Sequence, residues 1–132
     1  MHEWALAEAV ISAASQIAEK EGLKSVREVK IKVGELQRVE IDVFEFALSQ
    51  LKTDIFKNAQ FTVETVRAEM KCRVCGFHWS FSEDRLSGDS VEAIHFVPET
   101  AHAYIKCPVC GSPDFEFLSG RGIWLESLVG VK

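Results

Sequence analysis

What this chain has little of narrows its function before any motif is considered. It has no excess of basic residues: 15 Lys and Arg face 20 Asp and Glu, giving a formal net charge of −5 and an isoelectric point of about 5.4. Non-specific nucleic-acid binding depends on neutralising phosphates with Lys and Arg, so this balance argues against it. No apolar run approaches the roughly 18 residues of a membrane span. The N-terminus has no basic region followed by an apolar stretch, so no secretory leader is expected and a reducing, cytoplasmic setting is. There is no Gly-x-x-x-x-Gly-Lys phosphate loop, which argues against nucleotide hydrolysis. No nucleophile paired with a base can be recognised, and the chain reads as a non-enzyme. Composition is otherwise that of a folded globular protein, 47% hydrophobic and 27% charged, which argues against disorder.

Cysteine is scarce and concentrated. The four in 132 residues all fall in two copies of one pattern, Lys71-Cys72-Arg73-Val74-Cys75-Gly76 and Lys106-Cys107-Pro108-Val109-Cys110-Gly111. A two-residue spacer lets a tight turn present two thiolates to one ion, and zinc takes four such ligands at tetrahedral corners. The Gly after each second Cys permits the positive φ that wraps amides toward sulfur. Cys72, Cys75, Cys107 and Cys110 are therefore expected to hold one structural zinc ion. The 31 residues between Cys75 and Cys107 exceed the usual ribbon spacing and are expected to form a loop or small hairpin. A dithiol redox pair and a pair of disulfides are the competing readings. The first expects a single Cys-x-x-Cys in a βαβ context and the second an oxidising compartment. His78 is an alternative fourth ligand, and Trp79 and Phe81 read as a small core for the module.

Along the chain, 1–21 reads as an amphipathic helix with Leu6, Val10, Ala13 and Ile17 on its apolar face, stopped by Gly22. Trp4 is expected to anchor that helix to the core. Val29, Ile31 and Val33 alternate with Lys30 and Lys32 as a half-buried strand. Asp42 and Glu45 have capping-box spacing, placing a second helix over 42–52 with Phe44, Ala47, Leu48 and Leu51 inward. Phe61 and Val63 open another strand, 85–90 reads as a loop, and Ile123–Val131 as a closing strand. The expected fold is α+β: two helices packed on a small three-stranded sheet, with an inserted zinc-ribbon-like module. The expected domains are an α+β domain over 1–69, completed by 113–132, and a zinc-binding module over 70–112.

The first three residues, Met1-His2-Glu3, carry a second signal, which points to a metal site in the first of these domains. The α-amine and the His2 amide nitrogen can close a five-membered chelate, and the same amide with His2 Nδ1 a six-membered one. Square-planar nitrogen coordination suits Ni(II) and Cu(II). The Glu3 amide nitrogen or another His could fill the fourth corner. The first amides of a helix have no intrahelical acceptor, so deprotonating one breaks no helix hydrogen bond. On chemistry alone, a solvated terminal His remains the competing reading.

Taken together, these features resemble the HypA family of hydrogenase nickel-incorporation proteins. They are Met-His-Glu-Trp-Ala-Leu-Ala-Glu-Ala at the start, Val33-Gly34-Glu35-Leu36, Phe44-x-Phe46-Ala47, the paired Cys-x-x-Cys knuckles and Gly120-Arg121-Gly122. The resemblance covers essentially the whole chain. It implies a nickel metallochaperone that binds Ni(II) as cargo at its N-terminus and helps deliver it to the [NiFe]-hydrogenase large subunit. The implied partner is the nucleotide-hydrolysing protein HypB, and a weak homodimer is compatible with it. By position, His2 is implied as the nickel ligand with backbone nitrogens of Met1–Glu3, and the four cysteines as zinc ligands. His95 resembles a zinc-module histidine that can approach nickel in some members. Ile41 stands where many members have Pro, at a helix entry that carries no ligand. Outside the family, a zinc-ribbon interaction module and a dithiol oxidoreductase stay open at this point.

Overall fold

The computed structural model describes residues 2–81, 88–97 and 101–132. By compactness the chain falls into two units, 1–33 with 39–64 and 123–132, and 34–38 with 65–122. The second unit thus includes the 34–38 segment and the residues that follow the second knuckle up to Gly122.

The first unit contains α1 (Glu3–Lys20), most of β1 (Ser25–Gly34), α2 (Ile41–Leu51), most of β2 (Gln60–Val66) and, last in the chain, β6 (Ile123–Val131). The sheet order is β2-β1-β6. β1 and β6 run antiparallel, with Val29 opposite Leu128 and Val33 opposite Ile123. Two helices on a three-stranded sheet agree with the expected α+β architecture. The apolar side of β1 (Val26, Val29, Ile31 and Val33) joins Phe44, Ala47, Leu48 and Phe56 in one core. On β1, Lys32 reaches Glu64 at 2.7 Å and Glu126 at 3.6 Å.

Helix α1 keeps part of its expected face, with Val10 buried and Leu6 half-buried against the core, but is rotated away from Ala13 and Ile17. Ala7, Val10, Ile11, Ala14 and Ala18 are buried, whereas Ala13 is exposed and Ile17 is 41% exposed. Alanines let two helix axes approach closely, and α1 packs on α2. The four-three-four spacing of Leu6, Val10, Ala13 and Ile17 fits a helical stripe, but the neighbouring Ala7, Ile11, Ala14 and Ala18 repeat it, and spacing alone does not choose between them. Trp4 is likewise no core anchor. It is 46% exposed and meets the exposed Phe46 ring edge-on, 6.0 Å between centroids. Helix α1 ends where Leu23 N–H donates to the Ala18 carbonyl and Gly22 N–H to that of Glu19, a Schellman closure. Helix α2 starts one residue before the expected capping box. Its N-cap is Glu40, with no side-chain cap bond, and Asp42 sits in the first turn where the helix dipole favours a carboxylate.

The second unit holds a smaller sheet of order β4-β3-β5, from β3 (Glu69–Cys72), β4 (His78–Ser80) and β5 (Phe115–Ser119). Cys72 stands opposite Phe115, and Met70 opposite Trp79. The long spacer between the knuckles is more than a loop or hairpin. Besides β4 it carries α3 (Gly88–Phe96) and the short α4 (Ala101–Tyr104). The expected loop at 85–90 is helical from Gly88 onward, and 85–87 lie outside the described residues. Ile94, Ala101 and Ile105 from this spacer pack with Leu36, Ala68, Met70, Phe81 and Phe115, with Trp79 at the margin.

Gly120 is dictated by a backbone crossing. Its φ is +95°, and an added Cβ would lie 2.3 Å from Ala68 Cα. Beside it Leu36 N–H donates to the Gly120 carbonyl, and Glu35 Oε1 accepts the Ala68 N–H at 2.8 Å. No helix among the described residues is long and apolar enough to cross a membrane.

Candidate metal centre

Each knuckle is a turn closed in the same way. Cys72 N–H donates to the Phe77 carbonyl and Gly76 N–H returns to that of Cys72. In the second copy Cys107 N–H donates to Ser112 and Gly111 N–H to Cys107. Gly76 and Gly111 take φ of +78° and +75°, the left-handed turn that the sequence required of them. The turns aim amides at sulfur. Val74 and Cys75 N–H point at Cys72 Sγ at 3.3 and 3.4 Å, and Val109 N–H at Cys107 Sγ at 3.4 Å. Arg73 ties the knuckles together, since both its backbone N–H and its guanidinium donate to Asp114, at 3.0 and 2.9 Å.

The four sulfurs converge. Cys72 Sγ lies 3.5 Å from Cys110 Sγ, and Cys75 Sγ 3.6 Å from Cys107 Sγ. All four lie within 4.8 Å of one another. Tetrahedral zinc with bonds of about 2.3 Å would put its sulfurs about 3.8 Å apart, so the cage fits that ion. Cys72 and Cys107 are buried, Cys75 and Cys110 exposed, and all four are free thiols.

Charge divides the four. The Cys75 and Val74 amides draw the Cys72 thiol down to about 6 against the pull of burial. For Cys107 burial pushes upward, and the Cys110 and Val109 amides overcome it. At Cys75 the Phe77 amide draws the thiol down, but burial and the adjoining thiols of Cys107, Cys72 and Cys110 outweigh it and push it up to about 12. At Cys110 the Ser112 amide likewise loses to the Cys72 thiol and to burial. Two thiols are thus drawn below the ordinary thiol range and two are held above it. A divalent cation supplies positive charge and deprotonates its ligands.

The histidines stand apart from this cage. Among the described residues, the four cysteines are the group of potential ligands brought together. His78 is exposed on β4, opposite Lys71. His95 is buried on α3, 8% exposed. His102 donates through Nδ1 to the Pro113 carbonyl at 2.9 Å and its ring lies 4.3 Å from that of Phe115, so it packs. The Arg73–Asp114 tie was missed in the sequence. Its one signal was a pair of opposite charges, Arg73 inside the first knuckle and Asp114 shortly after the second.

At the other end, Met1 and its α-amine lie outside the described residues. His2 is the exposed N-cap of α1, and its carbonyl accepts the first helix bond from Leu6 N–H at 2.9 Å. Glu3 is the first helical residue and only 4% exposed. Its amide is among those that an α-helix cannot satisfy internally.

An α+β protein with a four-cysteine metal cage is the class that this fold and site define. The family model described as hydrogenase/urease nickel incorporation, metallochaperone, hypA, matches residues 1–130. The hydrogenase maturation factor HypA of Pyrococcus horikoshii is 43% identical over 131 residues, covering 97% of this chain and 94% of that protein. That of Pyrococcus furiosus is 42% identical over 132 residues, covering 98% and 95%. The solution structure of the Ni metallochaperone HypA from Helicobacter pylori superposes with a TM-score of 0.64 over 99% of this chain and 98% of its own. At 19% identity that likeness speaks for the fold. The chain belongs to the HypA family of nickel metallochaperones for hydrogenase maturation.

Proposed function

We propose that this chain binds Ni(II) at its N-terminus, holds it as cargo and helps deliver it to the [NiFe]-hydrogenase large subunit. In this reading zinc in the four-cysteine cage is structural. The observation that carries it is the placement of His2: exposed, at the N-cap of α1, next to Glu3 as the first helical residue. His2 Nδ1, its own amide nitrogen and the α-amine of Met1 then form fused chelate rings. The Glu3 amide or an exchangeable group takes the fourth corner. Because the Glu3 carboxylate is buried, its contribution to nickel is through the backbone. A terminal chelate of this kind can release its metal by a change at one corner, which suits a carrier.

The zinc cage does no chemistry in this account. Four thiolates leave no open position, and the ion fixes a unit whose apolar core is small. In this proposal the first unit presents nickel and the second is held by zinc. HypB is the proposed nucleotide-hydrolysing partner, the cytoplasm the proposed setting, and the chain itself is no catalyst. His95 is proposed to couple the zinc module to nickel. Replacing His2 by Ala tests the carrier role: one tight equivalent of nickel is lost while zinc stays at one per chain. Full nickel binding by that variant would move the cargo site elsewhere.

A further inference from the structure

Two hollows of about 440 and 500 Å³ lie side by side on the first unit and share Ser15, Glu19 and Thr53. Together they make a groove between α1 and the segment that leaves α2. On α1, Glu8, Ser12, Ser15 and Glu19 follow one another at four, three and four residues, which stacks them in a single stripe. That stripe spans about 16 Å, about three helical turns. Below it the floor is apolar. Ile11 is buried, and Leu23, Leu51 and Ile55 are half-buried extensions of the core. Glu8, Glu19 and Asp54 stand exposed on the rim, and no described Lys, Arg or His lines either hollow. Lys52, next in sequence to Leu51 and Thr53, is engaged elsewhere in a hydrogen bond from its ammonium to the Lys57 carbonyl at 3.2 Å.

An apolar floor under a polar rim whose charged side chains are all acidic fits one kind of occupant. We propose that this groove docks an amphipathic helix of a partner protein, about three turns long, with an apolar stripe toward Leu51 and Ile55 and flanking Lys or Arg toward Glu8, Glu19 and Asp54. Charge complementarity selects it. A second copy laid against the groove by the same face would bring its own Glu8 and Glu19, and like charges across an interface are unfavourable. The net charge of −5 adds a long-range, salt-sensitive attraction for a basic partner. The inference stands without the nickel reading, since no groove residue is part of either metal site.

The test uses the full, zinc-loaded chain and two amidated peptides of about 14 residues, each with Leu on one helical stripe. One carries Lys on the flanks and the other Glu. Fluorescence anisotropy is expected to show the Leu/Lys peptide binding at least about tenfold more tightly than the Leu/Glu peptide, and more weakly as salt rises. The neutral set Glu8→Gln, Glu19→Gln, Asp54→Asn and the reversed set Glu8→Lys, Glu19→Lys, Asp54→Lys should both weaken binding, the second by at least about tenfold. Reversal of Glu45, Glu116 and Glu126, the same change in net charge elsewhere, should cost less than about threefold. Equal losses in the two reversed variants would reduce the effect to net charge and overturn the proposal. So would equal binding of the two peptides, or no binding of the Leu/Lys peptide below about 100 μM. A change in the sedimentation of the peptide-free chain on reversing the groove would make a second copy the occupant and overturn it as well.

Discussion

Cys72 Sγ and Cys110 Sγ, 38 residues apart in the chain, lie 3.5 Å from each other. This cross-knuckle contact is made between a buried sulfur at the end of β3 and an exposed one in the second turn. If the contact is the edge of a metal cage, replacing Cys110 by Ala should release zinc from one per chain to none under a competing chelator. Hydrogen exchange should then rise sharply at Met70 and Phe115, while Val29 and Ile31 in the other core stay protected. Unchanged zinc content in that variant would mean that the four sulfurs do not act as a set.

The uneven thiols predict how the metal-free protein responds to pH. Cys72 is held at about 6 against an ordinary 9.0. Between those values the unfolded chain binds more protons than the folded one, so stability rises with pH, and Cys107 acts in the same direction. Above 9.0 the sign reverses. Cys75 keeps its proton up to about 12, and Cys110 is also raised, while the unfolded thiols ionise. Urea midpoints of the metal-free, reduced chain should therefore climb from pH 6 toward 9 and fall beyond it. A flat profile would contradict this division of charge.

The face of α1 can be settled by two substitutions. Ala14 is fully buried, so Ala14→Leu forces extra volume into the packed core and should cost about 1–3 kcal/mol in chemical denaturation. Ile17, though larger and more apolar, is 41% exposed, so Ile17→Ala should stay within about 1 kcal/mol. The reverse order of effects would restore the face that the larger side chains suggest.

Gly120 and Gly122 both have positive φ, but only the first is also crowded. Gly122→Ala should cost about 1–2 kcal/mol for the left-handed backbone alone. Gly120→Ala adds a collision with Ala68 Cα and should be clearly the more damaging, measured as a larger drop in thermal midpoint.

Much of this protein was legible because its signals are local. The knuckle spacing, the β1 alternation Val29-Lys30-Ile31-Lys32-Val33 and the stop after Glu21 each rest on a few adjacent residues. The α+β architecture and the closing strand at Ile123–Val131 followed from them. What stayed hidden depends on partners distant in the chain. Nothing near Ala7, Ala14 and Ala18 announces that α2 will approach closely enough to favour small side chains. The joining of Gly34–Arg38 to the later unit depends on Gly120 and Ala68, more than 30 residues away. The short helices of the spacer were obscured by its polar, Gly-containing start. At the site, the convergence of four sulfurs was readable, but the uneven charge among them was not, because it comes from amides placed by the turns.

The central claim is that nickel is held at the native N-terminus. Its most direct test is a nickel titration of the zinc-loaded, untagged chain beside the same chain extended before Met1, near pH 7.5, with a second series at higher pH. An ordinary α-amine titrates near pH 8, so the native chain should bind one tight nickel equivalent with affinity that rises with pH. The extended chain should lose that equivalent and keep its zinc. Equal binding by both chains would contradict the account, because a site that survives extension does not use the terminal amine.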